Sequence, residues 1–135
     1  MKVFNVLSLV FGTVGGFIAS LLGGFDKILI GLIILITLDY ITGLIKGIVT
    51  KKLSSAVGFK GLLKKVLILI VVAVAVVIES ILGEAFPLRE VVIMFFICNE
   101  AISLLENASE FIPIPQKLRD VLIQLRDKND NQETK

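Results

Sequence analysis

The chain has 135 residues, of which 56% are apolar and 19% are charged, and its mean hydropathy is +0.94. A soluble domain is about half apolar and a quarter charged, so we expect a small integral membrane protein. The single cysteine excludes an intrachain disulfide, and the lack of histidine excludes a histidine-dependent triad and a zincin helix. We therefore expect no enzyme activity, no cofactor, no metal site and no nucleic-acid partner.

The first apolar run, residues 3–25, carries no charge and is long enough at about 1.5 Å per residue to cross a bilayer core of roughly 30 Å. Only Lys2 precedes it, and the sequence around Ala19 is a poor cleavage context, so we expect the run to remain in the mature protein. Small residues recur at every fourth position: Ser8, Gly12, Gly16, Ser20 and Gly24. This stripe predicts a face that packs against another helix. The alternative is that glycine is simply common in membrane helices.

The second run, residues 28–50, contains an acid near its middle, Asp39. On a helix, Asp39 shares one narrow stripe with Thr42, Gly43 and Lys46. An ionised carboxylate at the bilayer centre costs about 2.5–3.5 kcal/mol, so Asp39 should face protein or water. A functional or assembly role and a purely structural hydrogen-bonding role both remain open.

Lysines without any acid mark the next segment, a predicted loop from residue 51 to about residue 61. Ser54 or Ser55 is expected to cap a short helix there. By the positive-inside rule this basic loop is cytoplasmic, and its lysines either lie among anionic headgroups or serve only as a topology signal. The lysines assigned to it are Lys51, Lys52, Lys60, Lys64 and Lys65.

The third run, residues 62–83, is an ordinary predicted span with Glu79 near its far end, and a short external connection follows at residues 84–90. The fourth run, residues 91–112, is apolar all round at first and then amphipathic. Its polar residues fall within an arc of about 120°, and they are Asn99, Glu100, Ser103, Glu106, Asn107 and Glu110. This face predicts either a pore-facing or helix-packing surface or an interfacial helix.

Pro113 and Pro115 end the fourth run, and residues 116–135 form a charged tail with at most one short amphipathic helix. We thus predict an all-α membrane domain over residues 1–115 with four hydrophobic helices and a cytoplasmic tail. Four spans place the basic loop and both termini inside. With three spans, residues 3–25 would lie in the interface or enter only part of the membrane.

These features together resemble the toxin-secretion and phage-lysis holins, small bacterial or prophage membrane proteins. The ordered motifs that carry the resemblance lie between residues 28 and 125. They are Asp39-Tyr40-Ile41-Thr42-Gly43 with Lys46, Ser54-Ser55, Gly58, Gly61-Leu62, Lys64-Lys65, Asn99-Glu100, Ser103, Glu106-Asn107 and Ile112-Pro113-Ile114-Pro115.

The resemblance implies a protein of the bacterial cytoplasmic membrane that oligomerises among its lipids and opens a lesion. An endolysin, or in some members a large toxin, would leave the cell through that lesion. The stripe at Asp39 and the face from Asn99 to Glu110 are then expected to pair in a closed state and to line water in an open one. A small proton- or cation-coupled transporter and a non-conducting accessory subunit are the alternatives.

Overall fold

A computed structural model describes residues 1–83 and 85–133, and in that part of the chain every regular element is an α-helix. The all-α expectation is therefore confirmed. The helices are α1 (Lys2–Leu21), α2 (Lys27–Val49), α3 (Ser55–Leu82), α4 (Leu88–Ser109) and α5 (Gln116–Glu133).

Among the described residues, three helices are long and apolar enough to cross a membrane, namely α1, α2 and α3. The fourth predicted span corresponds to α4, which is less apolar than these three helices and is not among the candidate spans. It carries two charged residues in its first turn, Arg89 and Glu90, and two further acids in its second half, Glu100 and Glu106. Length and composition therefore indicate three crossing helices and a fourth of mixed character.

Contacts at the helix ends fix the directions of α2, α3 and α4. Arg89 at the start of α4 contacts Asp26 at the start of α2 and Glu79 near the end of α3. At the other end, Lys46 of α2 lies 3.4 Å from Glu110, which follows α4. Helices α2 and α4 are therefore parallel, and α3 runs against both. We call the end at Arg89 the arginine end and the end at Lys46 the lysine end.

The apolar core lies toward the arginine end and joins these three helices. Its buried members are Leu22, Leu29, Leu32, Val72 and Ile93. Helix α4 is central, since it packs extensively against α2 and also against α3 and α5. Helices α2 and α3 make much less contact with each other. The core thus consists of two helices held together mainly through a third.

Several predicted boundaries are wrong, and the largest error is the start of α3. The side chain of Ser54 accepts a hydrogen bond from the amide of Val57, and the helix begins at Ser55 rather than at residue 62. The connection from α2 is therefore only residues 50–54. Lys51 and Lys52 lie in it, whereas Lys60, Lys64 and Lys65 lie on α3.

The other boundary errors have local causes. Helix α1 ends at Leu21 and not near residue 25, because Gly23 and Gly24 both adopt positive φ. Helix α4 begins at Leu88 and ends at Ser109, about three residues before the predicted bounds at each end. The tail, predicted to hold at most a short helix, forms the 18-residue α5, which folds back against α4.

Most of the predicted packing face of α1 is open among the described residues. None of the residues of α1 is buried, and a methyl group at Gly12 or Gly16 would meet nothing within 4 Å. Ser8 and Ser20 on the same stripe are exposed. Gly24 lies in the turn after α1, and its carbonyl oxygen accepts a hydrogen bond from Arg89. The stripe from Ser8 to Ser20 is therefore unused within the described part of one copy.

Candidate functional site

A cluster of buried charges joins α2, α3 and α4 in the middle of the bundle. The Lys65 ammonium lies between two carboxylates, hydrogen-bonded to Asp39 and 2.5 Å from Oε2 of Glu100. Only 7% of the Asp39 side chain and 4% of the Glu100 side chain are exposed. One ammonium group is thus paired with two carboxylates, and each of the three helices contributes one of these charged side chains.

An amide extends this cluster toward the lysine end. Nδ2 of Asn107 donates to Oδ1 of Asp39 at 3.1 Å and to Oγ1 of Thr42 at 3.2 Å. Gly43 lies beside it, and a Cβ there would be 3.6 Å from that nitrogen. The predicted stripe on α2 and the predicted face on α4 therefore meet in the structure. A methyl group at Gly43 would therefore be in ordinary van der Waals contact with the amide.

Other residues of the predicted α4 face have different surroundings. Glu110 pairs with Lys46, and both side chains are partly exposed. Glu106 turns away from α2 and pairs with Arg119 of α5 at 2.7 Å. Asn99 and Ser103 are half-buried and form no side-chain hydrogen bond with any described residue. Residues of the predicted polar face of α4 therefore contact three different helices, α2, α3 and α5. They do not form one continuous surface against a single helix.

A cavity of about 290 Å³ opens beside the charge cluster, between α2 and α3. The Tyr40 hydroxyl crosses this gap and donates to the carbonyl oxygen of Gly58 at 3.1 Å. The Tyr40 ring lies against α3 where Gly58 and Gly61 carry no side chain, and a Cβ at Gly61 would be 3.5 Å from the ring. The ring therefore packs closely against α3 at both glycines, at distances that a methyl group would also tolerate.

A second charge cluster, at the arginine end, was missed by the sequence analysis. The Arg89 guanidinium donates to the carbonyl oxygen of Leu22 at 2.6 Å and to that of Gly24 at 3.1 Å. It also forms two hydrogen bonds to the Asp26 carboxylate, at 2.8 and 3.1 Å. Such paired hydrogen bonds are the strongest that arginine makes. Arg89 therefore fixes the α1–α2 turn to the start of α4.

Asp26 has a double role in this second cluster. Its carboxylate accepts the amide of Leu29 and so caps α2, while it also binds Arg89. The hydrogen bond from Arg89 is the main cause that holds the pKa of Asp26 below its ordinary value. Asp26 therefore stays ionised, and the turn keeps both its helix cap and its ion pair.

We expect Gly23→Ala to destabilise the protein more than Gly24→Ala. Both glycines have positive φ, so each alanine should cost about 1–2 kcal/mol of backbone strain. At Gly23, however, a Cβ would lie 2.4 Å from Nε of Arg89, whereas at Gly24 it would meet nothing within 4 Å. Displacing Arg89 should add about 1–3 kcal/mol. Thermal unfolding in detergent measures the difference, and equal midpoints would contradict the role given to Arg89.

Two signals in the sequence could have identified the missed residues. Arg89 is the only basic residue between Lys65 and Lys117, a stretch that contains six glutamates. It is therefore the one residue in that stretch that could form an ion pair with any of them. Lys65 was grouped with the basic loop, although it lies inside the predicted third run, residues 62–83. Read as the start of a long helix, the same segment would have turned Lys65 toward the acids of its neighbours.

Comparisons with known proteins agree on one family. The model of the bacteriophage holin family matches residues 16–127. An uncharacterized protein of Clostridium perfringens strain 13 is 44% identical over 109 residues, which cover 79% of this chain and 81% of that one. A probable holin of Bacillus phage phi105 is 33% identical over 105 residues, covering 77% and 78% of the two chains. No solved structure matches the chain.

Proposed function

This chain belongs to the bacteriophage holin family, and on that premise we propose that it is a pore-forming holin. Copies of the chain would assemble in the bacterial cytoplasmic membrane and open a lesion that releases an endolysin or a large toxin. The coarser inference, a membrane protein of holin type, follows from the family and from the three long apolar helices.

The observation that carries the proposal is the pairing of charged groups inside a single copy. Asp39, Lys65 and Glu100 lie on three different helices, and the Lys65 ammonium forms the ion pair of both carboxylates. Charged groups left alone in lipid cost about 2.5–3.5 kcal/mol each, so the single copy must keep them together. In a water-filled lesion the same groups would be hydrated. The same side chains can thus be satisfied in a closed and in an open arrangement.

We infer that α4 crosses the membrane beside α2 and α3, which gives four spans. Its two ends lie at the two ends of α2, as the contacts of Arg89 and Glu110 indicate. Its acid at position 100 is paired with Lys65, which lowers the cost of crossing. The lysine end carries Lys46, Lys51, Lys52, Lys60 and Lys64. By the positive-inside rule that end faces the cytoplasm, together with α5.

Assembly is proposed to use α1. Helix α1 is anchored to the bundle through the turn at Gly23, with Ala19 near its end half-buried and the rest of its length exposed. Close approach of helix backbones over small residues is a main source of association in lipid. The stripe of Ser8, Gly12, Gly16, Ser20 and Gly24 therefore suits contact with α1 of a second copy.

Opening would exchange the contacts between α2, α3 and α4 for water and for neighbouring copies. Asp39→Ala and Glu100→Ala each leave Lys65 with one carboxylate and should therefore change the time at which the membrane becomes permeable. Potassium release after induction measures that time, with Asp120→Ala on the exposed face of α5 as the control. If both variants insert normally and permeabilise cells on the wild-type schedule, this opening mechanism is wrong.

The function itself is tested by inducing the protein in a bacterium with and without a co-expressed endolysin. We expect potassium loss in both cultures and an abrupt fall in culture density only when both proteins are present. The endolysin alone is the control. Slow, saturable and substrate-selective flux without lysis would instead indicate a transporter, and no leak at all would indicate an accessory subunit.

A further inference from the structure

The cavity between α2 and α3 has the composition of a binding site for a polar group that enters from the membrane. Its walls include apolar side chains, among them Leu53 and Val57, and its polar inner end, here called the floor, contains Asp39, Ser103, Lys65 and Asn107. Lys64, which is exposed, stands at its rim. Because α2 and α3 touch each other little, the polar floor opens between two apolar helices.

The lengths of the helices place this cavity near the membrane surface. Helix α3 has 28 residues and is therefore about 42 Å long, while the hydrocarbon core is roughly 30 Å thick. Glu79 contacts Arg89 at the arginine end and marks one boundary of the core, so a length of about 30 Å, or roughly 20 residues, reaches about residue 59 toward the lysine end. Val57 and Gly58 lie at that second boundary, and the long side chain of Lys64 can extend to it. The mouth of the cavity is thus at the depth of lipid headgroups, while its floor at Asp39 lies deeper.

The charge available at the rim is positive. The Lys65 ammonium is already paired with the Asp39 and Glu100 carboxylates. Lys60 and Lys64, in contrast, form no ion pair with any described residue. These two lysines lie four residues apart on a helix and are therefore neighbours on its surface. A phosphate at the rim would meet the Lys64 ammonium, and Lys60 adds a second positive charge on the same helix surface. The floor, in contrast, offers acceptors at Asp39 and Ser103 that suit hydroxyl donors.

We propose that this cavity binds the headgroup of an anionic phospholipid with free hydroxyl groups, as in phosphatidylglycerol. The phosphate lies at Lys64, the hydroxyls donate to acceptors on the floor, and the acyl chains lie along the apolar surface beside Val57. The proposal rests on the membrane location of the chain and not on lysis. Loss of lysis activity would therefore not contradict the proposed lipid site.

Lipid retention by the purified full-length protein in detergent tests the site. Phosphatidylglycerol or phosphatidylcholine is added, and native mass spectrometry measures the bound fraction. We expect phosphatidylglycerol to be retained preferentially and Lys64→Gln to weaken that retention about fivefold, the effect of one lysine near an anionic surface. The control, Lys117→Gln, removes an exposed lysine of α5 that also lacks an ion pair with the described residues, and it should retain lipid like the wild type.

Three results would overturn the proposal. Equal retention of the two lipids would show that charge does not select the ligand. Equal losses in Lys64→Gln and Lys117→Gln would show that only overall charge matters. Displacement of phosphatidylglycerol by soluble glycerol phosphate at similar concentration would show a site for free phosphate in place of a lipid.

Discussion

Lys65→Met is expected to lower the free energy of unfolding by about 3–5 kcal/mol, the usual cost of removing one partner from a buried ion pair. Methionine keeps much of the length of the side chain but leaves the Asp39 and Glu100 carboxylates facing each other without a cation. Thermal or denaturant unfolding in detergent micelles measures the loss. The adjacent Lys64→Met is the matched control, and because Lys64 is exposed it should change stability by no more than about 0.5 kcal/mol.

Neutralising the two acids should reverse most of this loss. The triple variant Lys65→Met, Asp39→Asn, Glu100→Gln carries no charge in the cluster and has nearly unchanged volume. Replacing a complete buried ion-pair network is often neutral or stabilising, whereas breaking it is costly. If the triple variant were as unstable as Lys65→Met alone, the instability would come from lost packing and not from unpaired charge.

Gly12→Leu and Gly16→Leu are expected to block assembly without disturbing the single copy. Both positions are exposed, and a Cβ at either one would meet nothing within 4 Å in the described part of the same chain. Between two copies, leucine would hold the helix backbones apart and remove their close contact. We expect about tenfold less crosslinked oligomer, which corresponds to about 1.4 kcal/mol, and delayed or absent lysis.

A control on the same helix separates assembly from general effects. Val14 lies about 200° around α1 from Gly12 and is exposed. Val14→Leu adds volume on the opposite face and should leave crosslinking and lysis unchanged. If Gly12→Leu lowered the unfolding midpoint of the single copy, or if Val14→Leu blocked assembly equally, the stripe would not be the assembly surface.

Helical periodicity was enough to find the polar residues that meet between α2 and α4. Asp39, Thr42 and Asn107 each lie on the face that a regular helix predicts, and the structure joins them by hydrogen bonds. That success has a physical cause. An acid in an apolar run must have a partner, and an amphipathic second helix nearby is the natural source of one.

Helical periodicity did not identify Lys65 as the partner of Asp39 and Glu100, because Lys65 follows a segment with low helix propensity. Gly58 and Gly61 lower helix propensity, so the sequence favoured a loop, but packing against Tyr40 offsets that preference. Lys65 was therefore grouped with the basic loop. Arg89 was missed for a different reason, since two of its four side-chain hydrogen bonds go to backbone carbonyl oxygens, which no residue pattern records.

The exposed helix α1 also has a kinetic consequence. Each copy carries a single α1, and Ser8, Gly12 and Gly16 on its stripe are exposed among the described residues. If α1 pairs with α1, the first pairing step is a collision between two diffusing molecules in a plane. The rate of that step rises with the square of the number of copies per membrane area, while the fold of each copy does not depend on crowding. The delay before assembly would then be set by the rate of synthesis, without any separate timing element in the chain.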